Sequence, residues 1–414
     1  LRLVTMLHRR RFAAALLAAL LSTASAPEQR LDPTIILVGL DGFRWDYMER
    51  GVTPNLDRLA ARGVRAERLI PPFPTTTFPS FYTVATGLHP ESHGIVANTM
   101  YDPVFRSWFR IRDTSAVRDG RWWGGEPIWV TAEKQGQTAA TFFLPGTEAP
   151  VAGIRPTYWK PFDRSIPKAA RIAQILRWLE LPPGQRPTFI TLYLGEVDAV
   201  AHDYDPDSAP EVTAAIRRVD ATLGDLFDDL EERGLLDEIN IIVVSDHGMA
   251  ATSPERVIFV DDYVDLEKAN VVDWSPVLAL RPREDDLEEV YDALADAHPH
   301  LAVYRKREIP ERLHYRSHRR IAPIIGIADE GWSTSNRRYY ERNRDRFTGG
   351  THGYDNALLS MGALLVAAGP AFERGRVTPP IHSVHLYDLM CHILGLEPAP
   401  NEGNLDSVRL LLRE

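Results

Sequence analysis

Four short apolar runs, each breaking off at a carboxylate, a histidine or a glycine, constrain the fold of this chain most. Thr34 to Val38 reads TIILV and leads to Asp41, and Thr188 to Leu194 reads TFITLYL and leads to Glu196 and Asp198. Asn240 to Val244 reads NIIVV and leads to Asp246 and His247; Gly362 to Ala368 reads GALLVAA and leads to Gly369-Pro370. Runs rich in β-branched residues without polar alternation predict strands buried on both faces, as in a central, largely parallel sheet. Helical periods fill the gaps. In Glu211 to Glu232, Val212, Ile216, Val219, Leu223, Leu226 and Leu230 recur every three or four residues, and Gly234 stops the pattern. Pro54 to Ala61, opened by proline and closed by Gly63, predicts a second helix, and Asp285 to Ala297 a third. The alternation predicts a doubly wound α/β fold with helices on both faces. Ligands then gather beyond the carboxyl ends of the strands.

The stretch from about Ser253 to Phe347 departs from this alternation. It reads as an inserted cap subdomain, about 253–347, within one catalytic domain over 30–414. Its basic run RLHYRSHRR, Arg312 to Arg320, offers a phosphate-facing surface or a solvated face, and composition favours the solvated face.

At the start, His8, Arg9, Arg10 and Arg11 precede an apolar run from Phe12 to Leu21, and Ala24-Ser25-Ala26 follows. That is the order of a secretory signal peptide, over residues 1–26. Roughly ten apolar residues are too few to span a bilayer, so no transmembrane anchor is expected after processing. Cys391 is the single cysteine, which rules out an intrachain disulfide and a cysteine zinc site. An exported chain without disulfides fits a periplasm or the medium, so a secreted or periplasmic protein is expected. The formal net charge of -10 argues against a stable nucleic-acid complex, which needs a basic face. A small anionic substrate is compatible with it, because bound metal reverses the local field.

The polar residues after the strands carry chemistry. Asp198 and His202 stand four apart, a spacing that points both the same way on a helical turn. Asp246-His247-Gly248 directly follows a predicted strand, Asp41-Gly42 follows the first, and His352 sits in the glycine-rich GGTHGYDN. Six oxygen or nitrogen ligands near strand ends suit two zinc ions. A nucleophile is available in FPTTTFPSFYTVATG, where Thr75, Thr76 and Thr77 precede a predicted helix. A threonine hydroxyl needs a metal or base to become reactive, and a helix N-terminus favours an anionic phosphate beside it. Threonine in that place also caps helices.

Longer motifs run in order from about Thr34 to Asn404: ILVGLDGFRWDY, TPNLDRLAARGV, FPTTTFPSFYTVATGLHPESHGIVAN, WWGGEPIWVTAEKQG, the Asp198/His202 pair, SDHGM, THGYDN and GPAF. The chain resembles the nucleotide pyrophosphatase/phosphodiesterase family, in a bacterial form. That family is a branch of the alkaline phosphatase superfamily. The resemblance implies an alkaline phosphatase-like fold and zinc-dependent hydrolysis of nucleotide phosphodiester or pyrophosphate bonds. Nucleoside triphosphates, dinucleotides and aryl nucleotide esters would yield a nucleoside monophosphate through a phosphothreonine intermediate. It implies Thr77 as the nucleophile, with Asp41, Asp246 and His247 holding the zinc that also holds Thr77. It likewise implies that Asp198, His202 and His352 hold the second zinc and that Asn98 donates to a phosphoryl oxygen. Phe78, Phe162 and Tyr193 fall where the family lines a leaving-group pocket. Phe162 stands where many relatives have tyrosine and Leu144 where tryptophan is usual. Two other readings stay open: hydrolysis of choline-type phospholipid headgroups, and a non-catalytic binding protein of the same fold.

Overall fold

Each of the four apolar runs becomes a buried strand of one sheet. The structure is a computed structural model that describes residues 32–413, so the expected leader lies outside the described residues. The sheet contains β1 (Ile35–Leu40), β2 (Val64–Ala66), β3 (Ala139–Phe142), β4 (Tyr158–Lys160), β5 (Phe189–Leu194), β6 (Asn240–Ser245), β7 (Leu365–Ala368) and β8 (Arg376–Thr378). Its spatial order is β8-β2-β7-β6-β1-β5-β3-β4. The sheet is largely parallel, as expected: β1 pairs parallel with β5 and β6, β3 with β5 and β4, and β2 with β8. Only β7 differs, running antiparallel to both β6 and β2.

Helices cover both faces. Pro54–Arg62 and Lys168–Leu179 pack against the long helix Pro210–Glu232, and Thr77–Thr86, Ile128–Lys134 and Leu386–Leu394 form a second group. Ile35 and Leu37 belong to the core shared with that second group. Strand side chains alternate, so Ile36 and Val38, both fully buried, face the first. The lone Cys391 is buried in the second group. No helix among the described residues is long and apolar enough to cross a membrane.

Register places the site. Leu40 is paired with both Leu194 and Ser245, so β1, β5 and β6 end at one level. The chain leaves all three there through Asp41, Gly195 and Asp246.

The stretch expected as an insertion builds a four-stranded antiparallel sheet, in spatial order Ala269–Asp273, Val277–Pro282, Ile324–Ala328 and Leu301–Arg305. Its helix spans Leu287–Leu294, shorter than the expected Asp285 to Ala297. Glu284–Asp286 form a tighter 3-10 turn before it, and Asp296 beyond it has φ of 56°. The basic run is a solvated face only in part: Arg312, His314 and Arg319 are exposed, but Tyr315 and Arg320 turn inward. Tyr315 and Arg320 are each only 3% exposed, and Arg320 is paired with the fully buried Asp102.

Candidate active site

The expected metal ligands converge at the carboxyl end of the sheet. Asp41 follows β1, and its backbone N–H still donates to Leu194 O at 3.0 Å. Asp246 follows β6 and accepts the N–H of Gly42 at 3.0 Å. Asp198 lies in the helix Glu196–Ala201 after β5, and its N–H donates to Asp41 O at 3.2 Å. Gly42 permits this approach: its φ is 65°, and a Cβ there would stand 2.8 Å from Asp198 Cβ. Gly349 serves the same end on the other side, where a Cβ would meet His202 O at 2.4 Å.

Three histidines enter from different segments in the same pose. Nδ1 of His202, His247 and His352 lies 3.0, 2.9 and 3.0 Å from the carbonyl oxygens of Gly350, Gly248 and Thr75. A carbonyl only accepts, so each Nδ1 carries a proton and each Nε2 is the nitrogen turned inward toward the carboxylates. His247 Nε2 is 3.0 Å from Asp246 Oδ2 and 3.5 Å from Asp41 Oδ1. Asp198 Oδ1 lies 3.3 Å from His202 Nε2 and 3.6 Å from His352 Nε2. Among the described residues, two groups have ligand atoms within 4.8 Å of one another, Asp41/Asp246/His247 and Asp198/His247/His352. The His247 and His352 rings stack at 3.6 Å.

The donor set fits metal cations. Asp41 Oδ1, Asp198 Oδ1 and Asp246 Oδ2 are buried without a hydrogen-bond partner, an arrangement that cations relieve. Protonation behaviour reflects the same surplus of negative charge. Burial, then the Asp198 and Asp246 carboxylates, push Asp41 well above the ordinary carboxylate range. Burial also opposes the Asp198 anion, but His202 and His352 outweigh it and hold that carboxyl low. Burial disfavours the His202 cation, yet Asp198 pushes it up to about 9. His247 is raised by Asp246 against burial, whereas burial and His247 together push His352 down.

Thr77 opens the ten-residue helix Thr77–Thr86, and its Oγ1 lies 3.3 Å from His247 Nε2. The three threonines separate by environment. Thr75 is fully buried in hydrogen bonds to the 353–354 backbone. Thr76 occupies the N-cap position but its side chain makes no cap hydrogen bond. Asn98 Oδ1 accepts the N–H of Phe78 at 3.0 Å, which fixes the amide and leaves its NH2 group as the free end.

The aromatics divide into two sets. Phe162, 45% exposed, meets Phe143 and Tyr193 edge-on. Phe78 packs against Phe109 and Trp123. Leu144 is buried and lies under Gly39. Tyr193 has a second use that the apolar run concealed: its hydroxyl donates to Asp41 Oδ2. Burial and the Asp41 charge keep that phenol protonated.

Paired acid-and-imidazole clusters beside a helix-initiating hydroxyl define a hydrolase built for phosphoryl chemistry. The chain belongs to the type I phosphodiesterase / nucleotide pyrophosphatase family, whose profile matches residues 35–355. It is 40% identical over 384 residues to the mouse bis(5'-adenosyl)-triphosphatase enpp4, covering 92% of this chain and 81% of the relative. It is 38% identical over 399 residues to the human ectonucleotide pyrophosphatase/phosphodiesterase family member 5, covering 96% and 82%. The solved murine ectonucleotide pyrophosphatase/phosphodiesterase 5 superposes with a TM-score of 0.87 at 39% identity, over 92% of this chain and 100% of that one. An inactive threonine-to-alanine variant of that protein, in complex with AMP, superposes equally well. The chain is thus an enzyme, a nucleotide pyrophosphatase/phosphodiesterase that hydrolyses nucleotide phosphodiester bonds.

Proposed function

We propose that this enzyme cleaves nucleoside triphosphates, dinucleotides and aryl nucleotide esters to a nucleoside monophosphate, using two zinc ions and a phosphothreonine intermediate on Thr77. The observation that carries this reading is the shared pose of His202, His247 and His352, each with Nδ1 tied to a carbonyl and Nε2 turned toward unpartnered carboxylate oxygens. In this reading Asp41, Asp246, His247 and Thr77 hold one ion, and Asp198, His202 and His352 the other. Zinc bound there supplies Lewis acidity, lowering the hydroxyl pKa and offsetting phosphoryl charge.

The chain's own groups do the rest. Thr77 Oγ attacks phosphorus in line, its proton passes to solvent, and the bond to the leaving group breaks. Water then cleaves the phosphothreonyl diester and restores the hydroxyl. The N-terminus of Thr77–Thr86 favours the anionic phosphoryl group. Asn98, with Oδ1 occupied by Phe78 N–H, directs its NH2 group to an equatorial oxygen, a contact whose loss costs about 3 kcal/mol of barrier. Phe162 presents an exposed ring for the nucleoside, with Phe78 and Tyr193 beside the reacting centre. The names of the relatives, which include a bis(5'-adenosyl)-triphosphatase and an AMP complex of an inactive threonine variant, support both the nucleotide and the threonine.

The deciding experiment is Thr77→Ala. Turnover of a nucleoside monophosphate aryl ester is expected to vanish while elemental analysis still finds two zinc ions per chain. Acid quenching of the parent enzyme during turnover should trap phosphothreonine at position 77. Normal activity in the variant would refute the nucleophile.

A further inference from the structure

We propose that Tyr315 and Arg320, from the basic run of the 253–347 stretch, are positioning residues for Asn98. The proposal rests on the reading that Asn98 donates to the phosphoryl group. Asn98 lies outside the central sheet, so contacts other than those of that sheet must set its position relative to the clustered carboxylates and histidines. The short hairpin Thr99–Asp102/Ser107–Arg110 follows it, and Ile111 N donates to Asn98 O at 3.2 Å.

The other side of this segment is fastened by the basic run. Two residues before Asn98, Val96 O accepts the Tyr315 hydroxyl at 2.9 Å. Four residues before it, Gly94 O accepts an Arg320 guanidinium N–H at 2.7 Å, and the same nitrogen donates to Trp122 O at 2.6 Å. Four residues after it, Asp102 accepts Arg320 Nε at 2.7 Å and an Arg319 terminal nitrogen at 2.8 Å. Further back, Glu91 accepts the backbone N–H groups of Arg316 and Ser317 at 2.6 and 2.8 Å.

These contacts are held rigidly. Burial opposes ionisation of Asp102, but its bonds from Arg319 and Arg320 and from two backbone N–H groups outweigh that and hold the carboxyl low. Asp102 is fully buried and Arg320 3% exposed, so neither has water as an alternative partner. A buried charge pair that loses one member is strongly destabilised, which favours a single geometry. The Tyr315 ring is fixed edge-on against Phe73 at 5.2 Å, close to the threonine segment. Phe78 N–H and Tyr315 thus reach the Asn98 segment from opposite ends, one at the side-chain amide and one at the backbone. Small errors in the placement of a reacting group carry large rate penalties, so this fastening bears directly on rate.

The test is a double-substitution cycle with Tyr315→Phe and Asn98→Ala, using a nucleoside monophosphate aryl ester. Tyr315→Phe keeps the ring and removes only the bond to Val96 O. It is expected to lower kcat about tenfold with KM nearly unchanged and zinc content intact. In the Asn98→Ala background the same substitution should cost nothing further. Arg320→Lys, which keeps a cation beside Asp102 but loses the fork to Gly94 O and Trp122 O, should show the same non-additivity. Equal losses from Tyr315→Phe in both backgrounds, or no loss in either, would overturn the positioning role alone. Full activity in Asn98→Ala would overturn the role of Asn98, and the proposal with it.

Discussion

Nδ1 of His352 donates to the carbonyl oxygen of Thr75 at 3.0 Å, across 277 positions of sequence. The exchange is mutual: Thr75 Oγ1 accepts the N–H of Gly353 at 3.0 Å and donates to Tyr354 O at 3.0 Å. The segment that presents Thr77 and the loop that presents His352 therefore form one hydrogen-bonded unit. The spacing between Thr77 and His352 is thus set by three buried bonds through Thr75.

Thr75→Val keeps the shape of that residue and removes its hydroxyl. Gly353 N–H and Tyr354 O then lose their partner in a buried place, a cost of about 1–3 kcal/mol. The melting temperature should fall, and zinc held with His352 should exchange faster against a competing chelator. Thr76→Ala should leave both nearly unchanged. Equal behaviour of the two variants would refute the strut.

A pH dependence follows from His202, whose ordinary value of 6.5 rises to about 9 in the metal-free site. A histidine raised on folding contributes stability that is fully present below its unfolded pKa and is lost as pH rises through the folded one. The metal-free protein should therefore lose stability between about pH 6.5 and pH 9. Zinc displaces the imidazole proton, so the loaded enzyme should be flatter over that window. Calorimetry on chelator-treated and zinc-loaded samples should show a gap that widens with pH. A constant gap would count against His202 as a ligand.

Much of this arrangement was legible in the sequence. Each of the four apolar runs became a strand, and β1, β5 and β6 lead at their carboxyl ends to Asp41, Asp198 and Asp246, whereas β7 runs the other way and ends with Ala368 beside Ile241, away from the site. Strands β2, β4 and β8 are three residues each and owe their place to pairing with neighbours, not to any pattern of their own. The antiparallel direction of β7 depends on how the chain returns to the sheet, which its apolar residues do not encode. The basic run was read correctly at Arg312 and Arg319 and not at Arg320, because arginines look alike in sequence whether solvated or buried. What decides is Asp102, 218 positions before Arg320.

Tyr193 illustrates a different limit, since a tyrosine in a buried strand reads as core. Tyr193→Phe keeps the ring beside Phe162 and removes the donor to Asp41. It should weaken the ion held by Asp41, Asp246 and His247 by about 10–100-fold, with KM for nucleotide esters nearly unchanged. Competition with a graded series of chelators measures the first, and steady-state kinetics the second. A large rise in KM with full metal affinity would return Tyr193 to the leaving-group pocket.

Diester selectivity should reside in the exposed ring. Phe162→Ala is expected to cost about 1–3 kcal/mol in kcat/KM on a nucleoside monophosphate aryl ester, the usual worth of stacking on a base. A simple aryl phosphate should be a poor substrate for both enzymes. Phe78→Ala should lower the melting temperature as well, because that ring packs against Phe109 and Trp123. A ratio of diester to monoester activity near one would make the enzyme a general phosphatase.

His352 is supported differently from the site residues that leave the sheet. Asp41, Asp246 and His247 stand at the ends of central strands, whereas His352 follows the two-residue strand Gly350–Thr351, paired only with Ala250–Ala251. Local opening draws on the least supported segments first. Metal held as proposed would act as a long-range staple, closing a span of chain that runs from Asp41 to His352. Removing it should release amide protection around residues 349–356 before the central strands exchange, so that the histidine latest in the sequence would mark where the fold first opens.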